Sequence, residues 1–436
     1  MQKAAVALFL IFACTAGAQR SPSIALVGVN VVPMDTERVL TDQTIVVRDG
    51  LIAAIGPRTS TSTRGVRAID MRGQYVIPGL ADLHTHPQVA SDLSQYIASG
   101  VTTILSLGSF ADDSLLVWRE ATRRGTKLGP EIYVGYYIDG ANGPPTRAIS
   151  TADQARNAAR NAKQGGFDVI KAYNSIPESA FVALVEEARA RGIAVTGHGV
   201  RSVGLQRGFS LGQVMVAHGE EYLYTHFRRI EDSVLFAEAA SWTKRSGAYV
   251  LPNLSAYVGI ARQWGKPLVV DTLLADPNAK YLDPMWRSRW RERDYVRRQG
   301  SLDARVVFLK KFIRVLSDSG VPLLAGTDSP TIPGLFPGPS MLMDLSLLVE
   351  VGLTPYQALL TATRTAGEFL AKHAHASDRF GTIAVGSRAD LVVLRENPLR
   401  DLRTLEKPQS VVVRGRWLSR ADLDALLNDL ATANAR

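Results

Sequence analysis

The sequence predicts a (β/α)8 TIM barrel carrying a small β-sandwich domain built from both chain ends. Three observations lead there. Short apolar runs alternate with helical periodicity through the middle of the 436-residue chain, and eight of them can be counted. Two stretches of β-branched residues broken by Gly, Pro and Asp lie at opposite ends of the chain. The composition, 46% hydrophobic and 21% charged, suits a globular protein with a large core.

Residues 1–18, "MQKAAVALFLIFACTAGA", read as a secretory signal peptide, with Lys3, an apolar run from Ala4 to Ala13 and a small-x-small end at Ala16 and Ala18. The run is too short to span a bilayer comfortably. Cleavage after Ala18 predicts a secreted or periplasmic protein without a membrane span. Cys14, the only cysteine, offers lipid attachment as the alternative and leaves the mature chain without disulfides.

The β-sandwich is expected from residues 19–77 and 381–436. "IALVGVNVVPMD", "QTIVVRDGLIAAIGP" and "GVRAIDMRGQYVIPG" at the start match "GTIAVGSRADLVVLRENP" and "SVVVRGRWL" at the end in texture. Residues 78–380 supply the barrel strands: "VIPGLADLH", "GVTTILSL", "PEIYVGYY", "FDVIKAY", "GIAVTGH", "QVMVAH", "AYVLPN" and "VPLLAGTD". Outer helices lie between them. In "SIPESAFVALVEEARARG", Phe181, Leu184, Val185 and Ala188 share one face, with Ser175 and Glu178 as a capping box. "TPYQALLTATRTAGEFL" starts the same way at Thr354, Pro355 and Gln357. An insert at 254–320, containing Trp264, Tyr281, Trp286, Trp290 and Tyr295, is either a binding element over the site or additional packing.

The formal charge of +9 raises the question of nucleic acid. The basic residues are spread along the chain, with one denser patch, "WRSRWRERDYVRRQG" at 286–300, and no recognition motif. A solvated helix face is expected there and no nucleic-acid partner.

In a barrel of this kind the site lies at the carboxyl-terminal ends of the strands. Those ends hold His84 and His86, Lys171, His198, His218 and Asp328, including four of the seven histidines. His84 and His86, two apart on an extended strand, point the same way and can share one ion. His198 and His218 end consecutive strands and can share a second. Imidazole and carboxylate suit zinc and similar divalent ions. A lysine among cations loses its proton more readily, and a neutral amine reacts with carbon dioxide to give an anionic carbamate that can bridge two metals. An isolated His-x-His, or a Thr-Asp-Ser turn that could cap a helix, is weak evidence. Polar ligands at five strand ends together are not.

With "VIPGLADLHTH", "VIKAY", "TGHG", "VAHGEEY", "AGTDSP" and "GLTPYQALLTATRTAGEFL" followed by "GTIAVGSRADLVVLRENPL", the chain resembles the amidohydrolase superfamily over nearly its whole mature length. Within it the resemblance is to imidazolonepropionase-related and prolidase-like metallo-dipeptidases. It implies two divalent metal ions, with zinc the first expectation: one on His84, His86 and Asp328, one on His198 and His218, and N6-carboxylated Lys171 between them. It also implies a bridging hydroxide as nucleophile and Asp328 as the group that moves the proton to the leaving nitrogen. Relatives are often oligomeric, so a homo-oligomer is expected. Many carry a His-x-Glu pair where this chain has Leu342 and Asp344, a departure that touches substrate contacts.

The expected substrate is a dipeptide or N-acyl amino acid, a small-molecule amide. An aromatic amide of the ochratoxin kind and a cyclic amide or lactone stand as alternatives. Deamination is disfavoured because His198 is followed by "GVRSVG", without the glutamate that superfamily deaminases carry. Tyr136, Tyr137, Tyr173, Tyr222, Tyr224 and His226 lie just beyond strand ends. Tyr222 and Tyr224 are the candidates for donating a hydrogen bond to the oxyanion.

Overall fold

A computed structural model describes residues 23–108, 111–227 and 232–435. The signal peptide and Cys14 lie outside the described residues. Seven parallel strands stand side by side in chain order: β1 (Leu80–Thr85), β2 (Val101–Ser106), β3 (Glu131–Ile138), β4 (Val169–Ala172), β5 (Ala194–Gly197), β6 (Gln213–Ala217) and β7 (Tyr249–Leu251). β1 and β2 are buried at every residue, as expected for strands covered on both faces.

The eighth position is filled by an extended segment, 322–329, that closes the ring through isolated bridges. Leu324 N–H donates to Val250 O at 2.9 Å, and Val250 N–H to Pro322 O at 3.0 Å. On the other side Leu83 N–H donates to Ala325 O at 3.0 Å and Asp328 N–H to His84 O at 2.7 Å. The segment is not a regular strand because Asp328 takes φ 63°, which breaks the extended run and turns its side chain out of the strand alternation.

The first expected strand divides in two. Tyr75–Pro78 pairs antiparallel with Leu391–Leu394 in the terminal sheet, and β1 begins one residue later. Gly79 is the junction: a Cβ there would sit 2.1 Å from Thr102 Oγ1, so only glycine lets the chain pass from one sheet to the other. The terminal sheet joins Ile24–Val31, Leu40–Arg48, Leu51–Pro57, Arg67–Asp70 and Tyr75–Pro78 to Leu391–Leu394, Ser410–Val413 and Arg416–Ser419. Ile24–Val31 pairs with three of these strands, and the mixed sheet curls round Leu26, Ile45, Val76 and Leu391. The chain then ends in a helix, Arg420–Asn434, that the strand texture of this region did not foretell. Ser419 caps it, and its Leu423 packs with Ile97 of the helix Asp92–Ala98.

The capping box expected at Ser175 and Glu178 is absent, because Ser175 is held instead by Asp139 Oδ1, from its N–H at 2.9 Å and its hydroxyl at 2.7 Å. The one at Thr354 and Gln357 is present. The insert forms four α-helices, Leu254–Gln263, Val269–Leu274, Pro284–Glu292 and Asp303–Asp318. Trp286 and Trp290 are buried packing residues: Trp290 Nε1–H donates to Pro330 O at 2.8 Å, and Trp286 Nε1–H to Asp92 Oδ2 at 3.3 Å. Among the described residues no helix is long and apolar enough to cross a membrane.

Candidate metal centre

The strand ends bring the expected residues together. His84 lies within β1 and His86 just past it, Lys171 in β4, His198 and His218 one residue beyond β5 and β6, and Asp328 on the closing segment. His86 Nε2 is 2.8 Å and His84 Nε2 3.7 Å from Asp328 Oδ1. Ligand atoms of His84, His218 and Asp328 lie within 4.8 Å of one another. The rings form a belt, His84 to His86 at 5.0 Å, His84 to His218 at 4.7 Å and His218 to His198 at 4.7 Å. His218 therefore stands as near to His84 as to His198, and the donors make one continuous group.

Three of the four imidazoles are aimed by a hydrogen bond at Nδ1, and His218 Nδ1 has none. His84 Nδ1–H donates to Asn253 Oδ1 at 2.9 Å, and Asn253 Nδ2 donates to Gly326 O at 2.7 Å, which fixes the amide with its oxygen toward the ring. His198 Nδ1–H donates to Glu221 Oε1 at 2.7 Å, and His86 Nδ1–H to Gly108 O. In the neutral rings of His84 and His198 these bonds leave Nε2 without a proton, free to take a cation. Glu220 Oε1 stands 3.6 Å from His218 Nδ1. Burial, with the neighbouring lysine, holds His84 and His198 well below the usual imidazole range, and burial with the nearby His198 takes His218 down to about 3. Burial opposes ionisation of Asp328, but the histidines around it more than compensate and hold it well below the usual carboxylate range. Neutral imidazoles facing an ionised carboxylate are the donor set that divalent metals of the zinc type take.

Lys171 completes the site. It is 1% exposed, and its Nζ has no hydrogen-bond partner. Burial pushes its pKa down to about 8, against the opposing pull of Asp328, Glu221 and Glu220. An amine buried without a partner costs about 1–3 kcal/mol, more if charged, and is what a further reaction at this nitrogen would relieve. The residues present thus fit a divalent metal centre.

Two acids brace the turn that carries Asp328. Asp82 accepts from Thr327 N–H at 3.0 Å and Thr327 Oγ1 at 2.6 Å. Asp344 accepts from Ser255 N–H at 3.1 Å and Ser255 Oγ at 2.9 Å and ties the Asn253 turn in place. It is a buried brace and Leu342 only packs on the core.

The aromatic candidates separate. Tyr222 is a correction: it is fully buried among Phe227, Trp242 and Phe312, and its hydroxyl bonds Thr243 Oγ1 at 2.8 Å, so it has no reach toward the metal ligands. His226 packs on Phe227 and Trp242, and Tyr136 lies under the Arg147 guanidinium. Tyr224 is 41% exposed beneath Arg201, whose guanidinium carbon is 4.4 Å from its ring centre. Tyr173 is nearest the ligands, its ring centre 3.9 Å from that of His198, with Tyr137 behind it at 5.6 Å.

Asn253 and Glu221 were not singled out in the sequence. "AYVLPN" and "VAHGEEY" contain them at strand ends, and that position was the available signal. Replacing Glu221 by Gln is expected to weaken metal binding about 10–100-fold, the scale for partners of metal-bound histidine. Metal titration by calorimetry measures it, and unchanged affinity would dismiss the Glu221 to His198 bond as a support.

The fold and the side-chain geometry define a barrel with a candidate divalent-metal site at its carboxyl-terminal rim. Residues 75–418 match the model of the Amidohydrolase family, and the chain belongs to it. It is a hydrolase acting on carbon–nitrogen bonds. Imidazolonepropionase of Haloarcula marismortui is 24% identical over 403 residues, covering 81% of this chain and 83% of that protein. Among solved structures, bottromycin amidohydrolase superposes with TM-score 0.76 at 25% identity, covering 96% of this chain and 92% of that one. A Xaa-Pro dipeptidase with bound methionine in its active site shares the fold, with TM-score 0.68 at 19% identity over 91% of this chain and 100% of that one.

Proposed function

We propose that the protein hydrolyses the amide bond of dipeptides or N-acyl amino acids at a binuclear centre. His84, His86, His198, His218 and Asp328 would hold two metal ions, with Lys171 between them as its carbamate. Lys171 carries this reading, as a buried, unpartnered amine beside four imidazoles and a carboxylate. Its neutral nitrogen adds to carbon dioxide, forming an N–C bond and releasing one proton, and the product is the anion that a pair of cations needs. The Xaa-Pro dipeptidase neighbour supports the choice of a dipeptide-like substrate.

When bound, the metals supply Lewis acidity at the carbonyl and a water that ionises near neutral pH. The rest is the work of the chain. Asn253, Glu221 and the Gly108 carbonyl keep the histidine tautomers fixed. Asp328, ionised and close to His86, takes the proton of the attacking water on its carboxylate and returns it to the leaving nitrogen as the C–N bond breaks.

Metal analysis with an assay panel of dipeptides and N-acyl amino acids tests the proposal. Two metals per chain are expected, with hydrolysis lost on chelation and restored by divalent ions. One metal per chain, or activity that survives full chelation, overturns it.

A further inference from the structure

The insert at 254–320 does more than cover the barrel. Anchored by Trp286 and Trp290, it ends its helix Pro284–Glu292 beside the turn that carries Asp328. The next residue, Arg293, donates from Nε to Thr331 O at 3.0 Å, and the Thr331 hydroxyl donates to Asp328 O at 2.8 Å and lies 3.2 Å from Asp328 Oδ1. Its guanidinium is therefore tied to the turn of the proton-carrying carboxylate.

Arg293 is only partly exposed, and no carboxylate of the described residues lies within ion-pair distance of it. Nearby Arg298 is paired with Asp294 at 2.5 Å. With Nε occupied by a neutral carbonyl, both Nη groups keep their donors. Tyr295, two residues on, packs against Ala256, Ile332 and Leu335. Burial raises its hydroxyl pKa; Arg293 acts against that rise, while Asp328 and Glu220 add to it. A half-buried cation without a counter-ion, fixed in direction, is a ready site for a carboxylate.

The leaving nitrogen of a dipeptide or N-acyl amino acid is separated from its α-carboxylate by one carbon. Whatever binds that carboxylate must stand beside the group that protonates the nitrogen. We propose that Arg293 binds the α-carboxylate of the substrate's leaving amino acid and makes the enzyme selective for amides ending in a free acid. This rests on the amide-hydrolase reading above. Arg201 also lacks a carboxylate within ion-pair distance among the described residues, but it is exposed and its face is covered by Tyr224.

The test pairs an N-acyl amino acid with its primary carboxamide in the wild type and in Arg293→Gln, Arg293→Lys and Arg201→Gln. The wild type is expected to prefer the acid, and Arg293→Gln to lose about 100-fold in kcat/KM on it, mainly through KM, against a few-fold on the carboxamide. Arg293→Lys should fall between the two. Remaining carboxamide turnover reports a folded variant. Equal wild-type rates on acid and amide, an equal loss on both in Arg293→Gln, or an acid-specific loss found in Arg201→Gln instead, each overturns the assignment while leaving amide hydrolysis standing. A wild type that cleaves neither compound removes the amide-hydrolase reading, and this assignment with it.

Discussion

Lys171→Met is expected to abolish amide hydrolysis while making the metal-free chain more stable. Methionine nearly reproduces the length of the lysine stem and adapts to irregular buried space, so packing around β4 is kept. What disappears is Nζ, a buried donor with no acceptor, whose removal is worth about 1–3 kcal/mol. Because Lys171 is driven down to about 8, the folded metal-free protein binds this proton less tightly than the unfolded chain does. The penalty is therefore largest below pH 8 and eases as pH rises toward the ordinary lysine range, so the advantage of the variant shrinks over that interval. Activity should fall on the order of 10³-fold, the scale of losing a preorganised charge in a water-excluded site, and bound metal should fall below two per chain. Thermal melts of chelated protein, metal analysis and 13C spectra in labelled bicarbonate read the three effects. A variant that still hydrolyses substrate, or melts lower when metal-free, would sink the claim that this lysine is kept at a cost in stability for its chemistry.

Much of the candidate site was legible because the proposed ligands fall where the strands stop. His84, Lys171, His198, His218 and Asp328 each close an apolar run, and parallel strands bring such ends to one rim whatever the loops between them do. Their supports were harder to see. Asn253 reaches His84 across 169 positions and Glu221 reaches His198 across 23, so no local period links the partners. Tyr222 was misread for a related reason: proximity to a strand end says little about direction, and the short helix Glu221–Thr225 sends Glu221 to His198 and Tyr222 into the aromatic core. Pro78-Gly79 marked the break, and the domain boundary was set beside it, but "VIPGLADLH" was still read as one strand; the reason for the division, Thr102 pressing on the backbone, belongs to a neighbouring strand. The insert could be recognised by its aromatics but not placed. Trp290 reaches the Asp328 turn through a long-range contact at Pro330, and Trp286 reaches the helix Asp92–Ala98 through Asp92.

Asp328→Asn separates the two roles given to this residue. Its backbone stands at φ 63°, a conformation that Asn accepts nearly as well as Asp and that Ala would resist, so the amide is the informative replacement. Asn keeps an acceptor for the Thr331 hydroxyl, now 3.2 Å from Oδ1. It cannot accept the proton of the attacking water or hand it to a nitrogen. For amide substrates kcat should fall about 10²–10⁴-fold, the range of general acid–base catalysis, with KM changed much less. A nitrophenyl ester of the same acyl group provides the contrast, because its leaving oxygen departs as a stable anion without a proton. If Asp328 delivers the proton, the ester should lose markedly less than the amide. If ester and amide fall together, in step with lost metal, Asp328 serves only as a ligand and the proton travels by another group. Among the described residues Glu220 is the next carboxylate to examine, buried beside His218 with Oε2 unpartnered.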